Sequence, residues 1–193
     1  MALLVRCLCT TKERNDKTSL LRPIFKRLIH PDVLPHLRSI EFRSAVVGLG
    51  HFKVEDPELW EILASYLKKS QFSGLTVFDV TTIFYSMGLV RYSNKDLLDQ
   101  IAAKLMDGSA VKPMSRMGLS NCFFGMGSLN YKNEQLLSGL CAAVAQPEML
   151  STLTTSQMSN IAFSLGQVGF RHDAAASAIA SQACRRLSEF TSH

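Results

Sequence analysis

The sequence predicts an all-α fold, a right-handed solenoid of about four helix-turn-helix repeats of 38–39 residues preceded by a capping helix. Three observations predict it. A small-apolar-Gly motif occurs four times, as Gly48-Leu49-Gly50, Ser86-Met87-Gly88, Gly125-Met126-Gly127 and Ser164-Leu165-Gly166, with the last glycines 38, 39 and 39 residues apart. A fixed period of this size marks stacked helix pairs. An apolar stripe at helical spacing precedes each of those glycines, and a short polar loop with a second apolar periodicity follows it.

With the last glycine of each motif as position 0, the stripe occupies −8, −5, −4 and −1. It reads Phe42, Ala45, Val46 and Leu49 in the first unit, and Val80, Ile83, Phe84 and Met87 in the second. The third has Leu119, Cys122, Phe123 and Met126, the fourth Met158, Ile161, Ala162 and Leu165. That spacing makes the segment before each glycine an amphipathic helix, helix A. Thr76, Ser115 and Thr154 stand where helix A starts. The glycine falls where a helix end calls for a residue free to take positive φ. An aromatic follows four residues later in three units (Tyr92, Tyr131, Phe170).

Helix B is expected to begin in the first unit at Pro57, with Asp56 as N-cap and Pro57 where a missing N–H costs little. The later copies are expected to start near Asn94, Asn133 and Asp173. Position +9 holds Leu59, Leu97, Leu136 and Ala175, and position +13 holds Leu63, Ile101, Leu140 and Ile179. An ordinary bundle has no reason to keep one length between its turns, so the repeat reading is preferred. The units are residues 38–75, 76–114, 115–153 and 154–193. Residues 19–37, with an apolar run from Leu20 to Ile29 ended near His30-Pro31, are expected to form the N-terminal capping helix.

The pattern of Ser/Thr start, apolar helix A, small-apolar-Gly turn, aromatic and Leu-Leu is clearest over residues 76–104 and 115–144. Across residues 39–187 the chain resembles the octotricopeptide and heptatricopeptide arrays of organelles, which are akin to the repeats of FAST-kinase-like and RAP-domain proteins. The resemblance implies organellar RNA work: binding, processing or stabilising transcripts, or holding ribosomal RNA within an organellar ribosome. The chain departs from larger members in leaving no room after Leu187 for a nuclease-like RAP domain, so no cleavage chemistry is expected.

Charge bears on the partner. Of 21 basic and 16 acidic residues in 193, the first 38 positions hold eight basic and three acidic ones, and the rest are balanced at 13 each. A neutral repeat body argues against tight independent binding of phosphates, which normally draws on clustered Lys and Arg. Contact through a local patch, or within a large assembly, is compatible with it. The N-terminal residues 1–18, apolar and interrupted by Arg6 with Thr10, Thr11 and Lys12 after it, read as an organellar transit segment, expected to be mitochondrial and directed to the matrix.

The sequence carries no catalytic signal and does not support metal chemistry. Neither Gly48-x-Gly50 nor Gly125-x-Gly127 continues into a dinucleotide or phosphate-loop pattern. The five histidines form no HExxH, and the five cysteines, with Cys122 and Cys141 at apolar helix positions, form no zinc spacing. No apolar run approaches the roughly 18 residues of a membrane span. Neither a cofactor nor a small-molecule substrate is expected.

If a recognition surface exists, it lies on the polar stripe of helix A. Position −6 is Ser44, Thr82, Asn121 and Asn160, short and polar in every copy. Such a column suits hydrogen bonding to RNA; equally, small polar residues let neighbouring A helices approach closely. Arg43, Lys112 and Arg116 are the candidates for phosphate, and Lys26-Arg27 form a basic pair on the capping helix. The expected function is that of a non-enzymatic RNA-associated organellar protein, a structural subunit of the mitochondrial ribosome contacting rRNA and neighbouring proteins. The rival reading is a protein-protein scaffold in another mitochondrial complex, without RNA contact.

Overall fold

The computed structural model describes residues 18–107 and 114–190, and among them every regular element is helical. The expected segment at residues 1–18 therefore lies outside the described residues except for Thr18. Helix α1 (Thr18–Leu28) is followed by a 3₁₀ turn (Leu34–His36). The expected capping helix is thus shorter than residues 19–37, because Pro31 and Pro35 remove two backbone donors from its second half.

The A helices are α2 (Ser39–His51), α4 (Val77–Val90), α6 (Arg116–Ser128) and α9 (Thr155–Gln167). The B helices are α3 (Pro57–Ser70), α5 (Lys95–Met106), α7 (Glu134–Val144) and α10 (Asp173–Arg185). One extra turn of helix, α8 (Pro147–Thr152), sits between α7 and α9 and was not expected. Pro147 at its first position and Glu148 in its first turn are ordinary helix-start signals.

Side-chain caps set the helix starts. Thr76, Ser115 and Thr154 each accept, through the side-chain hydroxyl, the backbone N–H three residues on, at 3.2 Å in all three units. Asp79 and Gln157 return the bond to the backbone N–H of Thr76 and Thr154, closing capping boxes. On the B helices Asp56 caps as expected, and Asn94 and Asn133, near which the later copies were expected to start, are the caps of theirs. In the fourth unit the helix begins at Asp173, where it was expected to start, and its cap is His172, whose Nδ1 accepts from the Ala175 N–H.

The ends of the A helices correct the reading of the glycines. Positions 0 lie inside the helices, and the left-handed residue comes three places later, at Lys53, Arg91, Asn130 and Gly169 (φ 51°, 54°, 48° and 61°). In every unit the N–H at +4 bonds the carbonyl at −1 and the N–H at +3 bonds the carbonyl at 0, the paired closure of a Schellman motif. Val54, Tyr92, Tyr131 and Phe170 at +4 are the apolar residues that this motif folds back onto the helix.

The glycines serve close approach. A Cβ built on Gly50 would lie 2.8 Å from Ser86 Cβ, one on Gly127 2.9 Å from Ser164 Cα, and one on Gly88 3.2 Å from Gly125 Cα. Position 0 of one unit therefore meets position −2 of the next. The A helices pack in chain order, α2 on α4, α4 on α6 and α6 on α9, and α3 on α5, α5 on α7 and α7 on α10 follow the same order. The stripe at −8, −5, −4 and −1 is buried throughout except at Ala162. Burying a ring such as Phe84 or Phe123 contributes on the order of 2 kcal/mol as an upper value.

Polar ties repeat in the same register. The Tyr92 hydroxyl donates to Glu61 at 2.7 Å, and that of Tyr131 to Asp99 at 2.8 Å, each from +4 to the +11 acid of the preceding unit. At the third junction both partners have changed, to Phe170 and Ser138. Burial, together with the neighbouring carboxylate, pushes each tyrosine up to about 12. Tyr131→Phe is expected to cost about 1 kcal/mol in urea unfolding, because the ring keeps its packing while the bond to the exposed Asp99 carboxylate, and the longer one that Asn133 Nδ2 donates to the hydroxyl at 3.4 Å, are lost.

Candidate functional site

Positions −10, −6 and −3 of a helix lie within about 60° of one another around its axis. On the A helices they form one face away from the core. Position −10 is Ile40, Phe78 and Met117, which are 49%, 45% and 52% exposed, large apolar side chains left in water; the fourth unit has Ser156. Position −3 is Val47, Tyr85 and Phe124, half-buried, and Phe163, which is 68% exposed. The Tyr85 and Phe124 rings pack with centroids 4.7 Å apart and planes tilted by 45°. The sequence reading passed over both rows, although apolar residues recurring off the buried stripe were the available signal.

Between these rows runs the expected polar column. The Ser44 hydroxyl donates to the Ile40 carbonyl and that of Thr82 to the Phe78 carbonyl, both at 2.7 Å, which leaves their oxygens as acceptors only. Asn121 is buried and Asn160 exposed, and neither side chain makes a hydrogen bond among the described residues. Close approach of the helices is made at positions 0 and −2, so the column is not what brings them together.

The candidate cations are differently placed. Arg43 donates to Asp79 Oδ1 of the next unit at 2.5 Å, and its guanidinium carbon lies 5.1 Å from the Phe78 ring centroid. Asp79 is buried, and desolvation alone would raise its pKa. The Thr76 hydroxyl and backbone N–H, and then Arg43, outweigh that and hold it below the ordinary carboxylate range. Arg116 is exposed and donates to the Thr152 carbonyl at 2.9 Å. Its counterpart in the first unit, Ser39, makes the equivalent tie to the Gly74 carbonyl at 2.6 Å.

Lys26 pairs with Glu58 at 3.7 Å, and the exposed Arg27 lies beside it, next to α3 and apart from the polar column. Lys112 lies outside the described residues. The structure therefore places Arg43 at the junction of the first two units, which carry Ser44 and Thr82 of the column, and places the Lys26-Arg27 pair against α3.

Among the described residues no group of three or more His, Cys, Asp or Glu is placed to hold a metal, and no helix is long and apolar enough to cross a membrane. Fold and face together define an all-α protein with a largely uncharged, partly aromatic surface on one set of helices. No family model matches the chain, and no curated protein does either.

Proposed function

We propose that the chain is an α-solenoid of four helix-turn-helix units that works without catalysis, holding RNA within a mitochondrial assembly as a structural subunit of its ribosome. The observation that carries this is the A-helix face, where a polar column runs beside a row of aromatic side chains in register. Single-stranded RNA is bound on such surfaces by stacking its bases on aromatic rings and bonding their edges to short polar groups. The resemblance to organellar RNA-binding arrays, and the excess of basic residues before position 39, support the same partner.

The cations nearest the column are engaged within the protein, so stacking rather than counterion release has to supply the affinity. The expected result is binding of a labelled 20-nucleotide single-stranded RNA with a shallow salt dependence, measured by anisotropy between about 50 and 200 mM salt. Phe163→Ala is expected to weaken it about 5- to 100-fold, the usual worth of one stacked base. Absence of binding at the lower salt would sink the RNA reading.

One observation favours a second reading, a protein-protein scaffold without RNA contact. Arg43 and Lys26 are paired with carboxylates, and Ile40, Phe78 and Met117 offer apolar area of the kind another protein would cover. Sedimentation of the tagged protein in organelle lysate separates the two. A ribosomal particle that RNase collapses supports RNA; a large complex indifferent to RNase supports the scaffold.

A further inference from the structure

In the B layer, positions +12, +15 and +16 turn toward the preceding unit: Gln100, Ala103 and Lys104 of α5 share one cleft with Lys68 and Phe72, at and just after the end of α3. The same positions of α3, Ile62, Ser65 and Tyr66, face Leu34 and Pro35 across a groove of about 780 Å³. In the three later junctions a whole B helix lies alongside, α3 by α5, α5 by α7 and α7 by α10. Beside α3 the corresponding helix is α1, where Arg22 pairs with Asp56 and Lys26 with Glu58. Yet α1 ends two residues after Lys26, whereas α3 runs twelve beyond Glu58. About 15 Å of α3 is thus left without a helix beside it. That place belongs to the stretch directly before α2, so units stacked ahead of α1 would not fill it.

The groove is also lined differently from its counterparts. Positions +12 and +16 are small or polar in the later units, as Gln100 and Lys104, Gly139 and Ala143, and Ala178 and Gln182, but large and apolar in the first. Ile62 and Tyr66 remain partly exposed. Tyr66 packs its ring on Phe42, with centroids 5.4 Å apart, and its hydroxyl makes no hydrogen bond among the described residues. Large apolar side chains left partly in water around a helix-sized gap mark a surface that another element covers. The rim carries both signs of charge. Glu58 is already met by Lys26, which leaves Glu61 and, eight positions on, Lys69, exposed and unpaired among the described residues. The two lie about 12 Å apart along the helix axis.

We propose that this groove takes one amphipathic helix of another protein, lying along α3 as a further member of the B layer. It sets two apolar residues four apart on Ile62 and Tyr66, a basic residue toward Glu61 and an acidic one toward Lys69. This is independent of whether the A-helix face binds RNA. The test puts a photo-crosslinking amino acid in place of Ser65 in the tagged full-length chain, in its own cells, and maps the crosslinked peptide by mass spectrometry. The expected adduct lies in a helix of another protein with two apolar residues four apart and an acidic residue beside them. Lys69→Glu is expected to lower its yield about 5-fold or more, since an attraction across the rim becomes a repulsion, with thermal unfolding of the free chain unchanged. Replacing the mapped acidic residue of the partner by Lys restores the yield. An adduct with residues 1–17 of the same chain, with a second copy or with RNA, one outside a helix, one insensitive to Lys69→Glu or not restored by the reversal, or none at all would overturn the proposal.

Discussion

Gly127→Ala is expected to lower the unfolding free energy by about 1–3 kcal/mol, and Gly166→Ala to raise it by about 0.5–1 kcal/mol, although both residues occupy the same place in the repeat. Both lie inside an A helix, so each substitution gains the intrinsic advantage of alanine over glycine in a helix. What differs is the neighbour. The new methyl at 127 would sit 2.9 Å from the Cα of Ser164, and relief there requires α6 and α9 to move apart along a well-packed seam. At 166 the methyl points into open space. Urea denaturation of the two variants beside the native chain gives the signs directly. If both stabilise, the close seam between consecutive A helices is wrong.

That contrast also shows how much of the molecule was legible in its amino acids. The period, the A and B helices, their buried stripes and most of their caps follow from local chemistry repeated at fixed spacing, and a repeat lets four weak signals reinforce one another. The role assigned to the glycines did not follow. A glycine near a helix end suits positive φ or close packing equally well, and only the position of the neighbouring helix decides between them. Lys53, Arg91 and Asn130 took the left-handed conformation instead, which no propensity singles out for lysine or arginine.

The candidate site was partly legible for a related reason. The polar column was found because polarity at −6 contrasts with the stripe. The exposed rows at −10 and −3 were missed because apolar residues read as core until the structure places them in water. Arg43 was legible as a cation, whereas its pairing with Asp79 depends on two helices 36 residues apart in sequence lying side by side.

Removing Asp79 is the second large effect. Its carboxylate accepts from the Thr76 N–H at 2.9 Å and the Thr76 hydroxyl at 2.7 Å, and pairs with Arg43 across the first junction. Asp79→Ala would strip the capping box from α4 and leave the guanidinium, only 25% exposed, without its counter-charge. The expected loss is about 3 kcal/mol, the scale on which a buried pair fails when one member is deleted. Arg43→Ala should cost less, about 1–2 kcal/mol, because the carboxylate keeps its bonds to Thr76. The pH dependence has a definite sign. Folding depresses this carboxyl's pKa, so its contribution is fully present above the unfolded value of about 3.9 and is lost as pH falls through the lower folded value. The native chain should therefore lose stability more steeply below about pH 4 than Asp79→Asn does. Arg43→Ala also discriminates between roles for the arginine. A drop in unfolding temperature with RNA affinity unchanged makes it a tie between units, whereas lost affinity at unaltered stability would make it a phosphate contact that only rests on Asp79.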